Sequence, residues 1–91
     1  MTVTIRVPSA LRDCVGGTPE LPLPAASVRA ALAEIERSHP LLYLRVCDET
    51  GAVRRHVNLF VNRDHVRDLD GLDTELDEGD VVTIMPAVSG G

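Results

Sequence analysis

The chain has 91 residues and a net charge of -5, and all nine of its basic residues are arginine. This length gives room for one domain with a modest core, since a domain of this size buries about 60–65% of its unfolded surface. The acidic balance argues against nucleic acid and anionic membranes as main partners, and it favours docking on basic protein surfaces.

The cysteines and the N-terminus indicate the compartment. Cys14 and Cys47 form no zinc or iron–sulfur pattern, although the sequence alone allows one disulfide between them. The first residues alternate like a strand instead of forming a signal peptide, and no apolar run approaches the roughly 20 residues of a membrane span. We therefore expect a cytoplasmic protein with reduced thiols and no membrane partner.

The first quarter of the chain predicts two strands. Polar and apolar residues alternate over 2–7, which is typical of a half-buried strand, and Pro8 ends its pairing. Residues 14–17 predict a turn. The alternation returns over 19–23, where several prolines lack an amide donor, so this segment is predicted to be an edge strand.

A helix follows, beginning at Ser27 as its N-cap. Its apolar face is formed by Val28, Ala31, Leu32 and Ile35. His39-Pro40 ends this helix, because a residue before proline avoids the helical conformation. The apolar segment 41–47 is predicted to be a short turn or irregular stretch that fills the core with Leu41, Leu42 and Leu44.

The second half predicts two strands and a shorter one. The elements are a turn at 48–51, a strand at 57–61, a hairpin loop at 62–64, a short strand at 65–67, a helical turn at 71–76, a tight turn at 77–80 and a last strand at 81–85, ended by Pro86. One helix covers only one face of a sheet. The prediction is therefore an α+β roll, with a mixed sheet of four to five strands and the first and last strands adjacent at its centre.

No catalytic cluster is visible in the sequence. His39, His56 and His65 are scattered without metal-ligand spacing, and we expect surface or structural roles for them. The serines lack a nucleophile-elbow context, and no glycine-rich phosphate loop is present. Nothing near either cysteine favours a reactive thiol. The chain is therefore predicted to be neither an enzyme nor a holder of a metal or cofactor.

The C-terminal segment Ala87-Val88-Ser89-Gly90-Gly91 is the chemical feature of the sequence. We expect residues 1–86 to form the domain and 87–91 a flexible tail. From Pro86 the tail spans about 20 Å when extended, and glycine passes through a narrow channel easily. The tail would carry the carboxylate of Gly91 into another protein's active site. The alternative is an ordinary frayed terminus.

Three segments resemble the ThiS/MoaD family of ubiquitin-like sulfur carriers. They are Val57-Asn58-Leu59-Phe60-Val61-Asn62, Gly71-Leu72-Asp73-Thr74 and the whole stretch from Asp77 to Gly91. With the start Met1-Thr2-Val3-Thr4-Ile5, the chain looks most similar to the CysO-type carriers of cysteine biosynthesis. The resemblance covers essentially the whole chain and implies a β-grasp fold. Ser89 departs from the alanine that the family often has before Gly-Gly.

The resemblance also implies a mechanism. An E1-like adenylyltransferase would couple the Gly91 carboxylate to AMP, using ATP and Mg²⁺ held by that partner. A sulfurtransferase or other sulfur donor would displace AMP, which leaves a thiocarboxylate for a sulfur-accepting synthase. In the cysteine route the acceptor is a pyridoxal phosphate enzyme, and a protease processes the tail. The chain itself would be a co-substrate without its own cofactor.

A docking surface is predicted from strand parity. Phe60, Val81, Thr83 and Met85 face away from the core positions, with Pro86 beside them. The alternative is that segment 41–47 covers part of this patch. The eight acidic residues between 64 and 80 are either a solvated face or a surface that steers the chain toward a basic adenylyltransferase.

Two other functions remain open at this stage. A ubiquitin-like protein modifier would appear as high-mass amide conjugates instead of a thiocarboxylate. A non-covalent adaptor or small subunit would tolerate an added residue after Gly91, whereas a carrier would fail unless a protease trims it. The sequence leaves the receiving pathway open among cysteine, thiamin, molybdopterin and sulfur-containing natural products.

Overall fold

The computed structural model describes residues 1–86. This range contains five strands, two α-helices and three 3-10 helices. The strands are β1 (Thr2–Arg6), β2 (Glu20–Pro24), β3 (Val57–Val61), β4 (Asp64–His65) and β5 (Val81–Pro86). The helices are α1 (Val28–Ser38) and α2 (Pro40–Val46), and 3-10 helices span Ser9–Val15, Val66–Asp68 and Gly71–Asp73.

The two ends of the described chain meet at the centre of one mixed sheet. The strand order is β2-β1-β5-β3-β4, with β1 parallel to β5 and the other neighbours antiparallel. This confirms the predicted α+β roll and its central pair. Strand β2 lies at an edge, as its prolines predicted, because a proline has no amide hydrogen to donate to a neighbouring strand.

The core lies between the sheet and α1. Alternation along the strands turns Val3, Ile5, Leu59 and Ile84 inward, where each is at most 2% exposed. Each such side chain stabilises the fold by about 1.5–3 kcal/mol relative to an exposed one. The predicted face of α1 is buried against them, and the Ser27 hydroxyl caps this helix by accepting from the Ala30 amide at 3.1 Å.

Residues 41–47 differ from the prediction. Residues 41–46 belong to α2 instead of an irregular segment, and Cys47 follows this helix in an extended conformation. The helix begins at Pro40, because the missing amide hydrogen of proline costs nothing at the first helical position. Leu42 and Val46 are buried one turn apart, whereas Leu41 is 64% exposed and Leu44 is 52% exposed. The prediction that Leu41 and Leu44 fill the core was therefore wrong.

Three smaller boundaries also differ. The turn expected at 14–17 is the end of a 3-10 helix, which Gly16 terminates with a φ of 68°. Strand β4 has only two residues, and Val66 already begins a 3-10 helix. Strand β5 includes Pro86, which lies opposite Val57 on β3. The tight turn at Gly79, with a φ of 85°, is confirmed.

Candidate functional site

The outer face of the sheet carries the residues predicted for docking. Phe60 lies opposite Thr83 in the ladder, and Met85 lies opposite Asn58, so Phe60 and Met85 are diagonal neighbours. Met85 is 49% exposed. Phe60, Val81, Thr83 and Pro86 are half-buried. The structure thus brings Phe60, Val81, Thr83 and Met85 together on one face, whereas Pro86 lies opposite the core residue Val57 and alternates to the other face. The role of these residues in docking stays a prediction.

Segment 41–47 does not lie on this face. Helix α2 packs against α1 and the 3-10 helix at Ser9–Val15. Leu42, Val46 and Cys47 belong to the core cluster on the α1 side of the sheet. This segment therefore does not cover the outer face. The alternative that it covers part of the docking patch was wrong.

His65 fixes the edge of the docking face. Its ring packs edge-on against Phe60 with centroids 5.1 Å apart. The Arg67 amide donates to its Nδ1 at 3.1 Å, so Nε2 carries the proton and donates to Asn58 Oδ1 at 3.0 Å. Both ring nitrogens are satisfied, which confirms the structural role expected for this histidine.

The end of β5 sets the point from which the tail continues. The predictions for Ala87, Val88, Ser89, Gly90 and Gly91 lie outside the described residues. Segment 54–56 lies on the β3 side of this end, because it directly precedes Val57, the ladder partner of Pro86. On the other side, beyond the end of β1, is a cleft of about 240 Å³, whose lining includes Arg6, Pro8, Arg12, Thr83 and Met85.

The opposite end of β5 is acidic. Glu78 Oε1 accepts from the Thr2 amide at 2.9 Å, and Asp80 Oδ2 accepts from the Asp77 amide at 2.8 Å. Asp80 Oδ1 also accepts from the Asn62 side chain at 3.2 Å. These carboxylates hold the turn that begins β5. Asp80 precedes Pro86 by six residues, or about 20 Å at the usual rise per strand residue.

The cysteines offer no catalytic site in the described part of the chain. Neither Cys14 nor Cys47 is in a disulfide. Burial raises the pKa of the Cys47 thiol, which disfavours the reactive thiolate. Residues 1–86 contain no group of three potential metal ligands. None of the helices in this range is long and apolar enough to cross a membrane.

Comparison with known proteins gives the family. Residues 5–91 match the family model described as the ThiS family. The chain is a member of the ThiS family. It is 36% identical over 93 aligned positions to the sulfur carrier protein CysO of Mycobacterium tuberculosis, covering all of both chains. It is also 39% identical over 66 positions to Small archaeal modifier protein 3 of Haloferax volcanii, covering 72% of this chain and 71% of the relative.

Solved structures agree with this assignment. The ThiS-family chain superposes with a TM-score of 0.88 and 35% identity on a chain of the Amycolatopsis orientalis BexX/CysO complex, covering 98% of this chain and 99% of that one. Mycobacterium tuberculosis CysO gives a TM-score of 0.86 at 34% identity, covering 94% and 99%. The fold is therefore the β-grasp roll, in a family of sulfur carriers and ubiquitin-like modifiers.

Sequence reasoning missed the arginines beside the end of β5. Arg6 and Arg12 come from the start of the chain, and Arg54 and Arg55 come from its middle. Their common location follows from the β1–β5 and β3–β5 registers. No local spacing could have indicated it.

Proposed function

We propose that this ThiS-family chain carries sulfur as a thiocarboxylate on Gly91. The main support is its full-length similarity to sulfur carrier proteins named CysO. Geometry adds support, because β5 runs to Pro86 with Met85 exposed beside it, and five residues with a Gly-Gly end follow in the sequence. The chain then acts as a co-substrate of cytoplasmic partner enzymes.

The proposed chemistry has two steps. A Gly91 carboxylate oxygen attacks the α-phosphorus of ATP, and pyrophosphate leaves. A sulfur nucleophile from the donor then attacks the carbonyl carbon of the acyl adenylate, AMP leaves, and a thiocarboxylate remains. ATP and Mg²⁺ are held by the E1-like adenylyltransferase, while Ala87, Val88, Ser89 and Gly90 thread its channel. The carrier presents the terminus and supplies no catalytic group.

The sulfur acceptor is proposed to be a synthase of cysteine biosynthesis, since the CysO relatives match over the whole chain. In that route the acceptor supplies pyridoxal phosphate, and a protease releases the product from the tail. Thiamin, molybdopterin and natural-product synthases are the other acceptors to compare.

Intact mass spectrometry tests the function. The chain is incubated with ATP, Mg²⁺, sulfide and the E1-like adenylyltransferase of its own organism. We expect a mass gain equal to replacement of one oxygen by sulfur. A variant lacking Gly91 and a variant with one extra residue after Gly91 are the matched controls and should gain nothing. Sulfur incorporation by both controls, or none by the native chain, would contradict the proposal.

Protein modification is a second candidate, favoured by the similarity to Small archaeal modifier protein 3. An activated modifier transfers its terminal carbonyl to a lysine amine, with AMP or a carrier thiol as the leaving group. Adding a lysine-containing lysate protein fraction to the same reaction would then yield conjugates of higher mass. Conjugates that require Gly91 support this function, and their absence beside a thiocarboxylate supports the carrier alone.

The outer sheet face is the proposed docking surface for the adenylyltransferase. Phe60→Ala and Met85→Ala each remove an apolar group from this face, so we expect slower thiocarboxylate formation at limiting carrier concentration and unchanged unfolding for Met85→Ala. Leu44→Ala is a matched control, since Leu44 is 52% exposed against 49% for Met85 but lies on α2. Equal rates for Met85→Ala and Leu44→Ala would exclude this face.

A further inference from the structure

The end of β5 is flanked by arginines on both sides. On the β1 side, Arg6 lies opposite Thr83, and Arg12 lines the same cleft as Met85. On the β3 side, Arg54 and Arg55 come just before Val57, which lies opposite Pro86. The register of the central strands therefore gathers four cations from three segments around the start of the tail.

Arg12 is held in place at the cleft. Its Nε donates to the Val7 carbonyl at 3.1 Å, which leaves the two terminal nitrogens of the guanidinium for another acceptor. Among residues 1–86 no carboxylate pairs with it. Arg6 has only one weak pairing, with Glu20 at 3.8 Å, where both side chains are more than half exposed.

On the β3 side, Arg54 and Arg55 line a second groove together with Asp48, Val53 and His56. Arg54 Nε donates to the Leu44 carbonyl at 2.9 Å, which ties the guanidinium to the end of α2. Arg55 is exposed and makes no hydrogen bond within the described range. One carboxylate, Asp48, lines this groove of about 410 Å³. It accepts from the Thr50 hydroxyl and from the amides of its own turn, Thr50 at 2.8 Å and Ala52 at 3.2 Å. These hydrogen bonds, and then the positive charge of Arg54, lower the pKa of Asp48, although Asp48 and Arg54 form no ion pair within the described range.

The charge of the molecule is thus divided along β5. The net charge is -5, yet arginines gather where β5 ends, while Asp77, Glu78 and Asp80 lie where it begins. An overall acidic protein with a basic end is oriented by an acidic target, because one end is attracted and the other repelled. Guanidinium also suits this task, since it stays protonated and pairs with carboxylates through two parallel donors.

We propose that Arg6, Arg12, Arg54 and Arg55 form an arginine collar that docks on carboxylates around the mouth of the partner's tail channel. This rests on the proposed function, in which a partner takes up the tail. The partner surface is therefore acidic at the channel mouth, and this differs from the basic surface that the overall charge predicted. The collar aligns the carrier so that its tail enters first.

Neutral substitutions test the collar. Arg12→Gln with Arg55→Gln removes one cation from each side, and thiocarboxylate formation is followed against carrier concentration with the E1-like adenylyltransferase. We expect kcat/KM to fall about fivefold or more at low ionic strength, with kcat at saturating carrier unchanged and a smaller loss at high salt. Arg63→Gln removes one cation from the β3–β4 loop, the same charge change as Arg55→Gln alone, and should stay within about twofold.

The outcomes separate the collar from the carrier function. An equal effect of Arg63→Gln and the double variant, or a loss confined to kcat, would overturn the collar while thiocarboxylate still forms. No sulfur uptake by the native chain would instead overturn the carrier function. Arg12→Gln also removes the bond to Val7, so Arg55→Gln alone, combined with a thermal unfolding check, keeps the test valid if that variant unfolds.

A partner-free measurement addresses the same surface. Isotope-labelled carrier is titrated with a hexaglutamate peptide, and backbone amide shifts are followed by NMR. We expect salt-sensitive shifts concentrated at Arg12, Arg55 and Met85, with the turn at 77–80 unaffected. Shifts distributed evenly over the surface would overturn the collar.

Discussion

At the scale of single residues, several roles could be predicted because they depend on neighbours in sequence. Ser27 precedes an amphipathic run and caps it, and Gly79 adopts the positive φ that its turn requires. The particular contacts of Arg12 and His65 could not be predicted. Each depends on a hydrogen-bond partner that only the folded chain brings near, Val7 for Arg12 and Asn58 for His65.

Asp48 provides a residue-scale prediction. The Thr50 hydroxyl, and then the Thr50 and Ala52 amides, donate to its carboxylate and lower its pKa. Because the folded value is below the unfolded one, about 3.9, the unfolded state binds protons first as pH falls. The stability that Asp48 supplies is therefore fully present above pH about 4 and is lost as pH falls through the folded pKa.

We expect Asp48→Asn to unfold at a lower urea concentration than the native chain at pH 7, with a smaller difference at pH 3. Urea unfolding at both values measures this. Glu49→Gln serves as the control, since Glu49 is exposed and accepts no hydrogen bond in the described structure. A difference between native and Asp48→Asn that is constant with pH would contradict the role given to this carboxylate.

At the scale of elements, alternation identified β1, β2, β3 and β5, because each strand has one face on the core and one on solvent. The same reasoning failed for α2. This helix has seven residues, Pro40–Val46, and five of the six that follow the proline are apolar or aromatic. The pattern therefore did not distinguish the buried face of the helix from its exposed face. Pro40 predicts the end of α1, but proline also favours the first turn of a helix, and here it does both.

The two leucines of α2 give an element-scale prediction. Leu42→Ala empties a fully buried site, so the free energy of unfolding should fall by about 2–5 kcal/mol. Leu41→Ala is the matched change at the adjacent, 64% exposed position and should cost at most about 0.5 kcal/mol. Denaturant unfolding of both variants measures this. Similar losses would mean that α2 presents a different face to the core.

At the scale of the whole molecule, the central pairing of the first and last strands and the family could be predicted from sequence. The pattern of Asp77 to Gly91 carried most of that inference. The distribution of charge could not be predicted, because it depends on which end of each strand lies beside which. The acidic run from 64 to 80 gave no indication that the end of β5 is surrounded by arginines.

The division of the chain into domain and tail gives a prediction at this scale. A variant ending at Pro86 retains the whole core cluster of the described range, so we expect it to unfold at the same urea concentration as the native chain. It should also accept no sulfur. Equilibrium unfolding and intact mass measure the two properties. A clearly lower midpoint would show that residues 87–91 contribute to stability and that the boundary lies elsewhere.

The parallel pairing of β1 with β5 has a consequence for how the protein is made. Strand β1 begins at residue 2 and its central neighbour β5 at residue 81, so the middle of the sheet cannot form until β5 has been synthesised. We expect a chain interrupted before residue 81 to leave β1 and β3 without their shared neighbour, which exposes two unpaired strand edges.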